Sequence, residues 1–185
     1  MSKLETNQVD PATGTTLTLG TSGDTISIPS GVTIANSGTA TGFGGSNSKT
    51  FYAYLSSSQS ATNGANTELV FNTEVHDADG VYNNSNGRYT PGVGTYLVSA
   101  GLTINDQSGS DDDFYMKFLV NGDTSLPYSQ QRSGGGHSNY SNQSGSAVIT
   151  LSSTSDYISV FGYHDAGSGR EFQSNLCFFT GFKLI

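Results

Sequence analysis

The residues best equipped for chemistry in this chain are carboxylates. Asp111, Asp112 and Asp113 are consecutive, and Asp106 lies close before them. Hard oxygen ligands of this kind hold Ca²⁺. In an assembly of identical copies the run would be repeated and would repel itself, and a bound calcium ion would relieve that. The same run reads equally as a solvated loop that keeps its surroundings soluble. His76-Asp77-Ala78-Asp79-Gly80 has the start of a calcium loop but lacks the acidic positions that should follow, so it reads as a turn.

A second group of residues suits recognition. His137 and Tyr140 fall in the segment Arg132–Ser146, and His164, Asp165, Arg170 and Glu171 in His164–Asn175. The histidines show no metal-ligand spacing. Tyr, Asn, Ser, Arg and Gly on loops offer flat apolar area and adaptable hydrogen bonds, which fits a carbohydrate or a protein surface. The chain has no paired Glu/Asp motif, no Gly-x-Ser-x-Gly elbow and no Cys/His pattern, so it reads as a non-enzyme. The single cysteine, Cys177, lies in an apolar run and reads as a small hydrophobe. A net charge of −8 argues against nucleic acid, whose phosphates need Lys and Arg, and against anionic membrane surfaces. The polar start, without an apolar leader, implies synthesis in a reducing cytosol.

These residues need a scaffold, and the periodicity along the chain is that of strands. Glycine is 24 of 185 residues, but ten Phe and ten Tyr at strand spacing argue against disorder. Strands are predicted over Phe51–Leu55, Glu68–Val75, Gly87–Thr90, Tyr96–Ile104, Phe114–Val120, Leu126–Gln131, Ala147–Leu151, Tyr157–Tyr163 and 175–185. No helix intervenes, which implies an all-β sandwich of jelly-roll type over residues 46–185. The last strand carries Leu176, Phe178, Phe182 and Leu184 on one face and Cys177, Phe179 and Ile185 on the other. Neither face suits water. Further copies of the chain are the economical cover, so the chain reads as an obligate homo-oligomer with Phe179, Cys177 and Ile185 at its axis.

Residues 1–45 differ from the rest. Leu17 and Leu19 recur as Ile26 and Ile28 nine residues on, and Val32-Thr33-Ile34 follows. Each unit alternates an aliphatic with a small hydroxyl or β-branched residue and ends in a turn residue. Such strands are too short to bury their own apolar side. Three chains wound around one axis would make a narrow β-prism, the shaft, that does so; otherwise the segment is a flexible Gly/Ser/Thr linker. In the sandwich, long connections (Ser56–Thr67, Asn105–Asp113, Arg132–Ser146, His164–Asn175) alternate with short ones (Thr90–Thr95, Asn121–Asp123, Ser152–Asp156). Antiparallel strands then put all the long connections at one end. That end is expected to be the one away from the shaft, and to hold the binding residues Arg132, His137, Tyr140, His164, Asp165 and Arg170.

Three stretches carry a family resemblance. They are Phe71-Asn72 before an acidic turn, Tyr82-Asn83 with Gly87-Arg88-Tyr89-Thr90-Pro91-Gly92-Val93-Gly94-Thr95-Tyr96, and the ending Phe179-Thr-Gly-Phe-Lys-Leu-Ile185. In this order residues 49–185 resemble the jelly-roll head of the complement C1q and tumour-necrosis-factor-like family. The resemblance implies a tight trimer with aromatic residues along its axis. No collagen-like stalk precedes the head. Residues 11–44 look instead like segments before such heads in fibre proteins of tailed bacteriophages. The resemblance therefore implies a virion protein made in the host cytoplasm, a trimeric tail fibre or tail tip. Its N-terminus would attach to other tail proteins, and its tip would bind a host-surface glycan or protein. The alternatives are a cellular C1q-like adhesion or lectin module and a capsule-depolymerase tip.

Overall fold

Tyr96, Val98, Ala100, Leu102 and Ile104 alternate with Leu97, Ser99, Gly101 and Thr103, and the first set turns inward along a strand of 12 residues. The computed structural model describes residues 9–38, 49–105, 113–125, 128–134 and 140–184, with the backbone alone for 128–134. His137, Asp111, Asp112, Ile185 and the side chain of Arg132 lie outside the described residues. The chain divides into two units, Met1–Gly44 and Gly45–Ile185.

The second unit is a jelly-roll sandwich with no helix among the described residues. Its strands are β1 (Phe51–Tyr54), β2 (Gln59–Ala61), β3 (Thr67–Glu68), β4 (Thr73–Asp77), β5 (Tyr82–Asn83), β6 (Arg88–Tyr89), β7 (Gly94–Asn105), β8 (Asp113–Val120), β9 (Tyr128–Gly134), β10 (Tyr140–Leu151), β11 (Ile158–His164), β12 (Arg170–Phe172) and β13 (Phe178–Lys183). The first sheet runs β10-β7-β13-β1-β4, with β12 and β2 continuing beside the end of β7. The second runs β5-β6-β11-β8-β9, with β3 also on β11. Every pairing is antiparallel.

The core is aromatic. Phe179 lies at its hub, with the rings of Phe51, Phe71, Phe118 and Tyr82 centred 4.8 to 6.1 Å away. Its ladder partners on either side are Ala53 and Ala100, both buried, and their small side chains leave the ring its space. This reverses the expected sense of the last strand. Phe179 and Cys177 face the protomer's own interior and are not available to an axis between copies. The outward set is Leu176, Phe178, Phe182 and Leu184.

Three further expectations are corrected. Glu68–Val75 is not one strand: β3 pairs with β11 in one sheet and β4 with β1 in the other, so residues 69–72 cross between sheets. The Gln59 side chain takes over the missing ladder there, donating to Glu68 O (2.7 Å) and accepting from Val70 N–H (2.9 Å). Next, β10 begins at Tyr140, seven residues before the expected Ala147. Its first half, Tyr-Ser-Asn-Gln-Ser-Gly-Ser, turns Ser141 and Gln143 inward in place of aliphatics. Finally, β2 and β12 lie inside segments expected to be loops and pair with each other.

The first unit has no strand among residues 9–38. Its chain turns at Thr21–Asp24, where Asp24 N–H donates to Thr21 O (3.0 Å) and the Asp24 carboxylate accepts from Thr21 N–H (2.7 Å).

Candidate binding end and association face

Register fixes where the connections go. Tyr140 pairs with Asn105, Asp113 with Gly134, and His164 with Phe114. The segments 55–66, 106–112, 135–139 and 165–169 therefore leave from one end of the sandwich. At the other end β1 begins, the Asn121 and Asp156 side chains join two short connections (2.9 Å), and Leu184 N–H donates to Thr95 O (2.7 Å).

Among the described residues the loop end is tied together by its own backbone. Asp113 N–H donates to the Asp165 carboxylate (2.6 Å), and Asp165 N–H donates back to Asp113 O (3.3 Å). Gly167 N–H donates to Asn63 Oδ1 (2.8 Å), and Glu171 N–H to Asn105 Oδ1 (2.7 Å). Arg170 spans its own loop, from Nη1 to Ser168 Oγ (2.7 Å) and from Nη2 to Ala166 O (3.4 Å). With Asn105, Asp113 and His164 it lines a cavity of about 10 Å³, room for one water.

The expected recognition residues divide accordingly. Asp165 is exposed on its loop, and Tyr140 is exposed at the start of β10. Arg132 belongs to β9, in register with Tyr115, rather than to a loop. Arg170 and Glu171 belong to β12. His164, expected at the surface, is buried: Nε2 donates to Ala61 O (3.1 Å) while Nδ1 accepts from Ala166 N–H (3.4 Å). Those two bonds require the neutral ring with hydrogen on Nε2. It is a structural tie between β2 and the loop after β11. Of the carboxylates proposed for calcium, Asp113 is described, and no group of three metal-ligating side chains occurs among the described residues. His76 belongs to β4, where its Nε2 lies 2.8 Å from Thr50 Oγ1, and Asp79 pairs with Lys49 at 2.9 Å.

The sequence showed the outward apolar set of the last strand, but not its continuation across the outer face of the first sheet. Register lays it out in rows across β10, β7, β13 and β1. One row is Val148, Leu97 and Phe182; the next is Ser146, Ser99, Thr180 and Tyr52; the next is Ser144, Gly101, Phe178 and Tyr54. No charged side chain interrupts these rows. Gly101 gives the Phe178 ring its place, because a Cβ there would lie 2.5 Å from the ring and push it aside. Two hollows flank that ring: about 360 Å³ beside Tyr52, Tyr54, Val75 and Leu176, and about 220 Å³ beside Thr103, Asn142 and Ser144. Val148 is 58% and Phe182 39% exposed. The signal in the sequence was the second set of β7, Leu97-x-Ser99-x-Gly101, whose small residues leave room for apolar neighbours.

No protein-family model matches the chain, and no curated protein matches it by sequence. Solved structures do match in fold. The globular domain of zebrafish complement 1qA protein aligns at 19% identity and TM-score 0.53, over 74% of this chain and 97% of that one. Eiger TNF from S. frugiperda aligns at 12% identity and TM-score 0.54, over 74% and 92%. Murine APRIL aligns at 14% identity and TM-score 0.53, over 73% and 98%. The fold is thus a jelly roll of the C1q and tumour-necrosis-factor-like kind.

Proposed function

We propose that the chain is a homotrimeric binding module whose loop end recognises a cell-surface glycan or protein. One observation carries this reading: register gathers the long connections at one end, while β10, β7, β13 and β1 of the first sheet offer to other copies a separate face whose rows carry no charge. Recognition and association then use different surfaces. Three copies would present three loop ends in parallel, so modest single contacts would multiply through effective concentration.

The finer reading is a tail fibre or tail tip of a tailed bacteriophage. It would be made in the host cytoplasm, carried on the virion, and joined to other tail proteins through its N-terminus. Support for it comes from the sequence: residues 11–44 resemble fibre segments, and a jelly-roll head follows them. The test is adsorption of the purified protein to bacterial cells, alongside a glycan screen. Tyr140→Ala and Asn66→Ala at the loop end should weaken adsorption about tenfold or more, a loss of ~1.4 kcal/mol. Thr154→Ala at the other end should leave it unchanged. Adsorption that falls with Thr154→Ala and survives the other two changes would put recognition at the wrong end. Release of saccharide from bound capsule would favour a depolymerase.

A further inference from the structure

Residues 9–38 hold an apolar series that their own unit leaves open. Leu17, Leu19, Ile26, Ile28, Val32 and Ile34 are each 43 to 62% exposed. The corners between them are already formed. Gly20, Gly23 and Gly31 take positive φ (79°, 96° and 84°), Asp24 closes on Thr21, and Val32 N–H donates to Pro29 O (3.2 Å). The runs between the corners have no ladder among the described residues. Each presents backbone donors and acceptors on its edges and exposed aliphatic side chains at alternate positions, and a neighbouring strand would satisfy both needs.

We infer that this neighbour is the same segment of further copies of this chain, in the number that the head assembles, and that the head sets their register. The inference rests on the association reading above. Charge favours an identical copy. Between Pro11 and Gly38 the one charged residue is Asp24, and its carboxylate is held by Thr21 N–H (2.7 Å) and Thr21 Oγ1 (3.0 Å). Apart from that one carboxylate, nothing in the series repels itself. Spacing favours a copy too: a partner must match runs nine and then six residues apart, and identical chains do so by construction. Tethering supplies the rest. Runs of three residues are too short to find one another in dilute solution. Once heads associate, their N-terminal segments are confined together at high effective concentration and start from the same residue.

Amide exchange of the full chain, read by mass spectrometry beside light scattering, tests this. In the assembled wild type, residues 15–35 should exchange on the order of tenfold or more slowly than in a monomer. Phe182→Asp, placed on the outer face of the head, should give a folded monomer in which that protection is gone. Ile26→Asp with Ile28→Asp should remove the protection and leave the head associated. An associated head with freely exchanging residues 15–35 overturns this inference alone. Protection that persists in the Phe182→Asp monomer overturns the need for a second copy. A monomeric wild type removes the association reading and this inference with it.

Discussion

At the scale of single residues, polar atoms inside the sandwich are placed by what they can bond. Burial pushes the phenols of Tyr82 and Tyr89 far above their ordinary range, and each hydroxyl donates to a backbone carbonyl: Tyr82 to Phe71 O (3.1 Å) and Tyr89 to Lys49 O (2.6 Å). Burial likewise raises the Cys177 thiol, which suits a packing role rather than a nucleophile's. Lys117 is the exception. It is 6% exposed, burial holds its ammonium below the ordinary lysine value, and among the described residues the Tyr115 ring faces it, with Nζ 5.3 Å from the centroid. A lysine whose folded pKa is lowered destabilises the fold while it is charged. The cost is full below the folded pKa, falls as pH rises through it, and is gone above the unfolded value of about 10.4. Lys117→Met should therefore raise the melting temperature at pH 7. The gain over wild type should shrink as the pH is raised towards 10.5. A melting temperature lowered by this substitution at neutral pH would mean that the ring contact outweighs desolvation. The packing role of Cys177 was legible beforehand; the burial of Lys117 was not. Alternation marks Lys117 as the outward neighbour of Met116 and Phe118, and an outward lysine reads as solvated.

At the scale of elements, strands were legible where apolar alternation was clean and lost where polar side chains stood in for it. β7, β8 and β11 fall within two residues of expectation, because Tyr96–Ile104 alternates cleanly and Phe114–Val120 and Tyr157–Tyr163 are dense in aromatic and β-branched residues. The first half of β10 and the short β2–β12 ladder were missed, since Ser, Asn, Gln and Arg look like loop wherever they occur. The candidate site suffered most from this, as Tyr140, Arg132 and Arg170 proved to be strand residues. The end at which the long connections gather was nevertheless legible, because hairpin parity needs only the order of strands. The hairpin of β5 and β6 depends on one glycine. Gly87 takes φ of +78°, and a Cβ there would lie 2.1 Å from Leu69 O, a backbone atom with no room to yield. That carbonyl belongs to the crossing between the sheets. Gly87→Ala combines left-handed strain with a backbone clash, so it should cost at least about 2 kcal/mol. Urea unfolding of the purified head would measure it, and a loss under about 0.5 kcal/mol would show that the crossing yields freely.

At the scale of the whole molecule, the two faces of the last strand carry the argument. Both are apolar, and alternation alone does not say which packs inside. Ala53 and Ala100 decide it, because small residues flanking Phe179 make room for its ring in the core, while Gly101 lets Phe178 lie flat outside. Substituting Phe179 would therefore unfold the protomer and report nothing about association. The informative position is Phe182, next to Leu97 and Val148 in the apolar row and 39% exposed. An exposed apolar row is tolerable in a monomer but costly to leave wet when the patch is continuous. Placing Asp there would set like charges against one another in a closed, apolar contact, and breaking such a contact with an unpaired charge costs several kcal/mol. Phe182→Asp should retain the far-ultraviolet dichroism and cooperative melting of the sandwich and sediment as a monomer. Thr154→Ala, at the end of the sandwich away from the long connections, should sediment with wild type. Should Phe182→Asp assemble as wild type does, the outer face of the first sheet is not where copies meet, and the exposed row must serve another partner.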